Sequence, residues 1–178
     1  MGGTEDRILI AILGGARSGK TYTWNHLFGH EVRTGRRLRR VYLDGLHYTE
    51  AFLVSRSPGK RKVQIEEILK GNMPNVVLCS LNYQKNVVKT LDYFIRNHYT
   101  IYLQWLNPGF SDDHDRPLFY DLGLITRILT TTAYVSIRNG KEEPDQRVEE
   151  IRDFLYGWTA RRGLLREKGK VHPRVSPV

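Results

Sequence analysis

The chain has 178 residues, 40% of them hydrophobic, and its 28 Lys and Arg residues outnumber 19 Asp and Glu residues, which gives a net charge of +9. This length suits one α/β domain with a hydrophobic core and is short for two. A single cysteine, Cys79, excludes an intrachain disulfide, and no apolar run approaches the length of a membrane span. We therefore expect a cytoplasmic protein that does not bind membranes and whose positive charge serves a polyanionic partner.

The first predicted strand, an apolar run at residues 8–13, leads into a glycine-rich loop (residues 14–21) that fits the pattern G-x-x-x-x-G-K-[ST] at every fixed position. Glycines allow backbone amides to turn inward around phosphate oxygens, Lys20 would bridge the outer phosphates, and Thr21 would ligate magnesium. A chance match in a glycine-containing turn is the alternative, and the helix predicted at residues 22–28 argues against it. The predicted nucleotide-binding residues are Gly14, Gly15, Ala16, Arg17, Ser18, Gly19, Lys20 and Thr21.

Strands and helices alternate along the rest of the chain. Further strands are predicted at residues 40–43, 75–80, 100–106 and 133–137. Helical patterns cover residues 49–73, 85–98, 118–130 and 145–161. This alternation predicts an α/β fold, a three-layer sandwich in which a five-stranded parallel sheet has helices on both faces and binds ligands at the carboxyl ends of its strands. We expect one domain over residues 1–162 and a basic, flexible tail over residues 163–178.

Asp44 ends the second predicted strand, 24 residues after Lys20, and is the candidate general base. A carboxylate there would accept a proton from a substrate hydroxyl or help to hold the metal. The alternative is that Asp44 caps a turn with Gly45, which is a common role for that pair. Ser80 and Asn82 follow the third strand and are predicted to converge with Asp44 on the glycine-rich loop.

Positive charge is clustered in three segments. Beside the first cluster, His47, Tyr48 and Phe52 would form a stacking surface for a base, or are ordinary packing residues. Each cluster is either a nucleic-acid contact or a solvated face. The clusters consist of Arg33, Arg36, Arg37, Arg39 and Arg40; of Arg56, Lys60, Arg61 and Lys62; and of Arg161, Arg162, Arg166, Lys168 and Lys170.

With these features the chain resembles the small P-loop kinases, and among them the kinase half of polynucleotide kinases. The resemblance implies that Asp44 is the general base and that Asn82 contacts the substrate, while Ser80 stands where those kinases have an Asp. It also implies a substrate-binding insertion at about residues 45–73 and a lid at about residues 109–118. The lid would supply a catalytic arginine, Arg116 or, as a second candidate, Arg127.

The small size, the basic surface and the segment at residues 105–109 also resemble phage-encoded kinases that phosphorylate the hydroxymethyl group of 5-hydroxymethyluracil in DNA. This resemblance implies ATP and Mg²⁺, a DNA partner, and the host cytoplasm as the compartment. The implied substrate-binding residues are His47, Tyr48, Ser80, Asn82, Arg36, Arg37 and Arg39. Two alternatives remain: a kinase of a free nucleoside, nucleotide or small metabolite, and a nucleotide-dependent ATPase that binds nucleic acid.

Overall fold

A computed structural model describes residues 6–111 and 123–170 of the chain. Within these ranges strands and helices alternate, as the sequence predicts. In chain order the elements are β1 (Ile8–Gly14), α1 (Lys20–Phe28), β2 (Arg39–Tyr42), β3 (His47–Val54), α2 (Pro58–Arg61), α3 (Ile65–Leu69), β4 (Val76–Asn82), α4 (Val87–Arg96), β5 (Thr100–Leu106), α5 (Leu124–Ile128), β6 (Ala133–Arg138), α6 (Asp145–Ala160) and β7 (Arg166–Glu167).

The strands form one mixed sheet in the order β2-β3-β4-β1-β5-β6, with β7 attached to β3. Neighbouring strands from β3 to β6 in this order are parallel, whereas β2 and β7 pair with β3 in antiparallel fashion. The predicted α/β class is confirmed. The prediction of a five-stranded, purely parallel sheet is wrong, because the described residues form seven strands, two of which are antiparallel to β3. β1 is central, so the loop that follows it leaves the middle of the sheet at the carboxyl edge of the parallel strands.

Both faces of the sheet are covered by hydrophobic packing, and β1 shows this most directly. Ile8, Ile10 and Ile12 point into one cluster together with residues of α1 and α6. Leu9 and Ala11 point into a second cluster, which includes residues of α3 and α4. Because successive side chains of a strand face opposite sides, this alternation places helices on both faces of the sheet. The glycine-rich loop therefore begins at the packed centre of the fold.

The second predicted strand, residues 40–43, is not a member of the parallel sheet. β2 is an antiparallel edge strand that forms a hairpin with β3, and Leu43 donates a backbone hydrogen bond to the carbonyl of His47 at 2.9 Å across the turn. The parallel member is β3, whose Val54 is in register with Cys79 of β4. A hairpin reverses the chain, so the carboxyl end of β2 lies at the amino end of β3.

The predicted strands at residues 8–13, 75–80, 100–106 and 133–137 are confirmed as β1, β4, β5 and β6. The helical prediction for residues 49–73 is wrong over its first part, which belongs to β3, and the rest holds only the short helices α2 and α3. The proposed insertion therefore begins with a strand of the main sheet. The tail prediction is wrong at Arg166–Glu167, which pairs with β3 as β7. No helix among the described residues is both long enough and apolar enough to span a bilayer.

Candidate functional site

The glycine-rich loop has a conformation that depends on its glycines. Gly19 has a φ of 98°, a region that side chains bearing a Cβ rarely adopt, and α1 begins at the next residue. A Cβ on Gly14 would lie 2.3 Å from the Oγ and 2.9 Å from the Cβ of Ser18, so any other residue there would require the turn to shift. The fixed glycines of the sequence pattern are thus required by this backbone.

Lys20 is folded back into the glycine-rich loop. Its Nζ donates hydrogen bonds to the Gly14 carbonyl at 3.0 Å, to the Gly15 carbonyl and to Ser18 Oγ at 3.1 Å, and the residue is only 8% exposed. Burial, followed by the nearby charge of Lys60, lowers the pKa of Lys20 to about 8. A buried ammonium held only by neutral acceptors gains free energy when an anion approaches it. The loop is therefore suited to binding an anion.

A pocket of about 870 Å³, here called the loop pocket, opens beside the glycine-rich loop. It combines the carboxyl ends of β1, β3 and β4 with residues that follow β5. Five of the side chains are cationic, and the described lining contains no Asp or Glu. The lining residues are Ala16, Arg17, Ser18, Gly19, Lys20, Thr21, Tyr22, Ser55, Arg56, Ser57, Lys60, Arg61, Ser80, Asn82, Phe110 and Ser111.

Ser80 and Asn82 reach the loop pocket, as predicted. The Oγ of Ser80 accepts a hydrogen bond from Trp24 Nε1 at 2.8 Å, and Ser80 is only 1% exposed, so its main contact is with α1. The backbone N–H of Asn82 donates to Ser57 Oγ at 3.1 Å, which ties the end of β4 to the segment after β3. Asn82 also lines the pocket, and its bond to Ser57 uses only the backbone and not the side-chain amide. Of the two, Asn82 is better placed to contact a ligand.

Two aromatic residues at the loop pocket were not selected by the sequence analysis. The rings of Tyr22 and Phe110 lie 6.1 Å apart and are 45% and 55% exposed, respectively. The hydroxyl of Tyr22 lies 3.1 Å from a carboxylate oxygen of Glu143, to which it donates a hydrogen bond. Exposed rings beside a cationic pocket provide a stacking surface for a planar group. The only sequence signal was their position: Tyr22 directly follows the loop motif, and Phe110 lies four residues after the end of β5.

Asp44 does not lie at the loop pocket. It occupies the β2–β3 turn, where its carboxylate accepts hydrogen bonds from Leu46 N at 2.7 Å and from His47 Nδ1 at 2.8 Å, as well as from His47 N. This turn lies at the amino end of β3, and the loop pocket lies at its carboxyl end. The length of β3, about 23 Å at 3.3 Å per residue, separates the two. The prediction that Asp44 joins the glycine-rich loop is wrong. The hairpin places Asp44 at the amino ends of the parallel strands, whereas the glycine-rich loop lies at their carboxyl ends.

The hydrogen bonds to Asp44 also oppose a catalytic role. The backbone N–H of His47 first, and then its side chain, lower the pKa of the Asp44 carboxyl. A lowered pKa makes a carboxylate a weaker proton acceptor. The alternative stated for the Asp44-Gly45 pair, a turn-capping role, is the arrangement that the structure contains.

His47 and Tyr48 share the edge on which Asp44 lies. The ring of His47 packs edge-on against Tyr156 with centroids 5.3 Å apart, and Tyr48 packs against Tyr42 at 5.7 Å. His47 and Tyr48 are therefore not brought to the loop pocket, and both pack against tyrosine rings, which is the ordinary packing role that the sequence analysis left open. Phe52, the third residue of that set, is only 5% exposed.

The first arginine cluster lies at a second cleft, here called the basic groove. It has a volume of about 1380 Å³, and Arg36 and Arg37 line it, whereas Arg39 does not. Arg39 instead donates from Nη2 to the carbonyl of Arg33 at 2.9 Å. The groove is lined by Arg36, Arg37, Leu38, Arg40, Tyr48, Glu50, Phe52, Asn72, Met73, Pro74, Asn75, Gly163, Leu164, Arg166, Gly169 and Lys170.

Arg116, the first candidate for the lid arginine, lies outside the described residues, as do residues 112–118 of the predicted lid. Phe110 and Ser111, from the start of that segment, line the loop pocket. The second candidate, Arg127, forms an ion pair with Asp92 of α4 at 2.6 Å and is not part of the pocket lining. Arg127 is therefore engaged elsewhere.

The predicted metal ligands, Thr21 and Asp44, are not brought together. Thr21 lines the loop pocket, whereas Asp44 lies at the other edge of the sheet. Among the described residues there is no group of three or more His, Cys, Asp or Glu side chains able to hold a metal ion. A magnesium ion at this pocket would need the oxygens of a bound phosphate as its main ligands, with the hydroxyl of Thr21 added.

Comparison of the chain with protein-family models, with curated proteins and with solved structures finds no match.

Proposed function

We propose that this protein is an ATP-dependent phosphotransferase of P-loop type, which moves the γ-phosphoryl group of ATP to a hydroxyl group of a nucleic acid. The observation that carries the proposal is the glycine-rich loop between the central strand β1 and helix α1, with Lys20 buried inside it. The loop backbone, the positive end of α1 and the Lys20 ammonium would hold the phosphates.

The charge of the loop pocket supports phosphoryl transfer. Arg56, Lys60 and Arg61 follow β3, are exposed and line the pocket. Charge on the transferred group is spread over three oxygens in the transition state, so fixed cations around it lower the barrier. These three residues would act together with Lys20, while Thr21 would ligate a magnesium ion that the nucleotide brings.

The acceptor hydroxyl would bind on the β3 and β4 side of the loop pocket, near Ser57 and Asn82. Asp44 has no part in this proposal, since it lies at the opposite edge of the sheet. Phosphoryl transfer depends mainly on positioning and electrostatic stabilisation, both of which the described residues can provide. Tyr22 and Phe110 would offer a stacking surface to a nucleobase.

The acceptor is proposed to be DNA, with the hydroxymethyl group of 5-hydroxymethyluracil as the first hydroxyl to test. The net charge of +9 supports a polymeric acceptor, because phosphate contacts release counterions whereas a free nucleoside offers no such gain. A kinase of a free nucleoside, nucleotide or small metabolite would have the same residues at the glycine-rich loop and is the first alternative.

The test is to incubate the protein with γ-labelled ATP, magnesium and matched duplexes that contain thymine or 5-hydroxymethyluracil, alongside the corresponding free nucleosides. Label on the modified duplex supports the proposal. Label on a free nucleoside with equal efficiency would transfer the assignment to the first alternative. Lys20→Ala is the control and is expected to remove all labelling.

A second candidate is a nucleotide-dependent protein that binds nucleic acid and hydrolyses ATP slowly without an acceptor. The absence of Asp and Glu from the described lining of the loop pocket favours it, because no carboxylate there would orient an acceptor hydroxyl. Release of labelled phosphate with no labelled acceptor in the same assay would support this candidate.

A further inference from the structure

The basic groove lies at the amino ends of the parallel strands, whereas the loop pocket lies at their carboxyl ends. Asn75, which precedes β4, lines the groove, and Asn82, which ends β4, lines the loop pocket. The seven residue-to-residue steps from Asn75 to Asn82 correspond to about 23 Å along an extended strand. The groove is thus a separate surface, and the phosphotransferase proposal leaves it without a role.

The register of the β2–β3 hairpin explains which residues face the groove. Arg40 lies opposite Glu50, and the same face of β3 carries Tyr48 and Phe52 at alternate positions. Arg166 of β7 lies opposite Tyr48 and so joins this face from the other side of β3. Arg39 is one residue from Arg40 and therefore points to the opposite face.

The fold brings two arginine and lysine clusters together at this groove. Arg36, Arg37 and Arg40 come from the first cluster of the sequence, and Arg166 and Lys170 come from the third. The described lining of the groove contains one carboxylate, Glu50, which lies 3.4 Å from Nη2 of Arg166, and Lys170 also pairs with Glu167 outside the lining. Such an excess of positive charge along an open cleft attracts a polyanion.

Within the described ranges, no carboxylate pairs with Arg36 or Arg37, which are both exposed. Lys170, in contrast, pairs with Glu167 at 2.6 Å. The two arginines are therefore the charges most available to a ligand. An arginine guanidinium binds phosphate oxygens through two parallel hydrogen bonds, which suits a nucleic-acid backbone.

The groove also exposes apolar side chains between its cations. Leu38 is 49% exposed and Met73 is 37% exposed, although both are large hydrophobic residues. A duplex buries the faces of its bases, whereas a single strand presents them to the protein. Cations for phosphates next to apolar surface for bases favour an unpaired strand over a duplex.

We propose that the basic groove binds a single strand of nucleic acid, with its phosphates on Arg36 and Arg37 and its bases against Leu38 and Met73. The groove would hold a polymeric partner at a distance from the loop pocket and without ATP. This inference shares with the proposed function only the nature of the partner. Its test therefore measures binding alone, so that it can succeed or fail independently of phosphoryl transfer.

The experiment measures the fluorescence anisotropy of a labelled 20-nucleotide oligothymidine against the whole protein at several salt concentrations, without ATP. Reversing both charges in Arg36→Glu/Arg37→Glu is expected to weaken binding at least about tenfold at low salt. The slope of log affinity against log salt should become less steep by about 1.4, which is 0.7 for each lost phosphate contact.

The matched control is Lys85→Glu/Lys89→Glu, which changes the net charge equally at exposed positions that line neither cleft. An equal loss of binding in this control would overturn the proposal, since it would show an effect of net charge only. Equal affinity for a duplex, or for polyglutamate of the same charge, would overturn it as well. Thermal melting of Arg36→Glu/Arg37→Glu, which is expected to match the wild type, separates weakened binding from misfolding.

Discussion

The affinity of the glycine-rich loop for a nucleoside triphosphate is expected to fall as the pH rises above 8. Burial, and then the charge of Lys60, lower the pKa of Lys20 to about 8 in the free protein. A phosphate beside the ammonium favours its charged form and raises that pKa. By linkage the triphosphate binds the protonated protein more tightly, and above pH 8 binding takes up a proton.

The size of the change in ATP affinity follows from the difference between the pKa of Lys20 in the free and in the ATP-bound protein. If bound phosphate restores the ordinary lysine pKa of about 10.4, the dissociation constant should rise roughly 20-fold between pH 7.5 and pH 9.5, or about 1.8 kcal/mol. The assay is calorimetric titration with ATP and magnesium at constant ionic strength. Repeating it in two buffers of different ionisation enthalpy counts the protons taken up.

Two variants make this test specific to one side chain. Lys20→Arg keeps its charge throughout the range, so it should bind more weakly than the wild type but with little dependence on pH. Lys60→Gln removes a neighbouring positive charge and should move the midpoint of the wild-type profile to higher pH. A wild-type dissociation constant that stays the same from pH 7.5 to pH 9.5 would show that Lys20 does not control ATP binding. An equal loss of ATP affinity in Lys20→Arg over this range would show the same.

Three substitutions test the geometry around the loop and the hairpin. Gly19→Ala places a Cβ at a φ of 98° and should lower stability by about 1–2 kcal/mol and weaken ATP binding, measured by thermal melting with and without ATP. Asp44→Asn should leave phosphoryl transfer intact, and in urea denaturation it should lose only the share of stability that Asp44 adds as the pH rises from acid to neutral, because hydrogen bonds from His47 lower the pKa of Asp44. Urea denaturation should show that Arg147→Ala costs about 3 kcal/mol, because Arg147 is 2% exposed and its Nε donates to Thr23 Oγ1 at 2.9 Å.

The parts of the fold that local sequence determines were predictable. An apolar run, two spaced glycines and a lysine fix β1, the glycine-rich loop and the start of α1, because each depends on neighbouring residues only. The strands β4, β5 and β6 were found for the same reason: each is a short apolar run bounded by polar residues.

The β2–β3 region could not be assigned from the sequence, because pairing between distant segments decides it. Residues 40–43 and the start of β3 both resemble strands, and nothing local shows which one pairs with β4. The Asp44-Gly45 pair fits a strand end and a hairpin turn equally well. The predicted positions of Asp44, His47 and Tyr48 all depended on treating residues 40–43 as a parallel strand. That single error placed these three residues at the carboxyl ends of the parallel strands instead of the amino ends.

The basic groove illustrates the same limit. Arg37 and Arg166 are 129 positions apart in the chain, and only the pairing of β7 with β3 brings their two clusters to one cleft. The polar composition of residues 163–178 predicted a flexible tail, because a two-residue strand leaves no periodic pattern to detect. The charge of these clusters was readable from the sequence, and their common location was not.

Phosphoryl transfer from ATP to DNA is tested most directly by measuring, in one reaction, how the γ-label divides between the DNA and free phosphate. Wild-type protein, Lys20→Ala and Asp44→Asn would each be incubated with labelled ATP, magnesium and DNA containing 5-hydroxymethyluracil. Our account predicts labelled DNA from the wild type and from Asp44→Asn, and none from Lys20→Ala. Labelled free phosphate with unlabelled DNA from the wild type would show that no phosphoryl group reaches this acceptor, and loss of labelling in Asp44→Asn would show that Asp44 belongs to the active site.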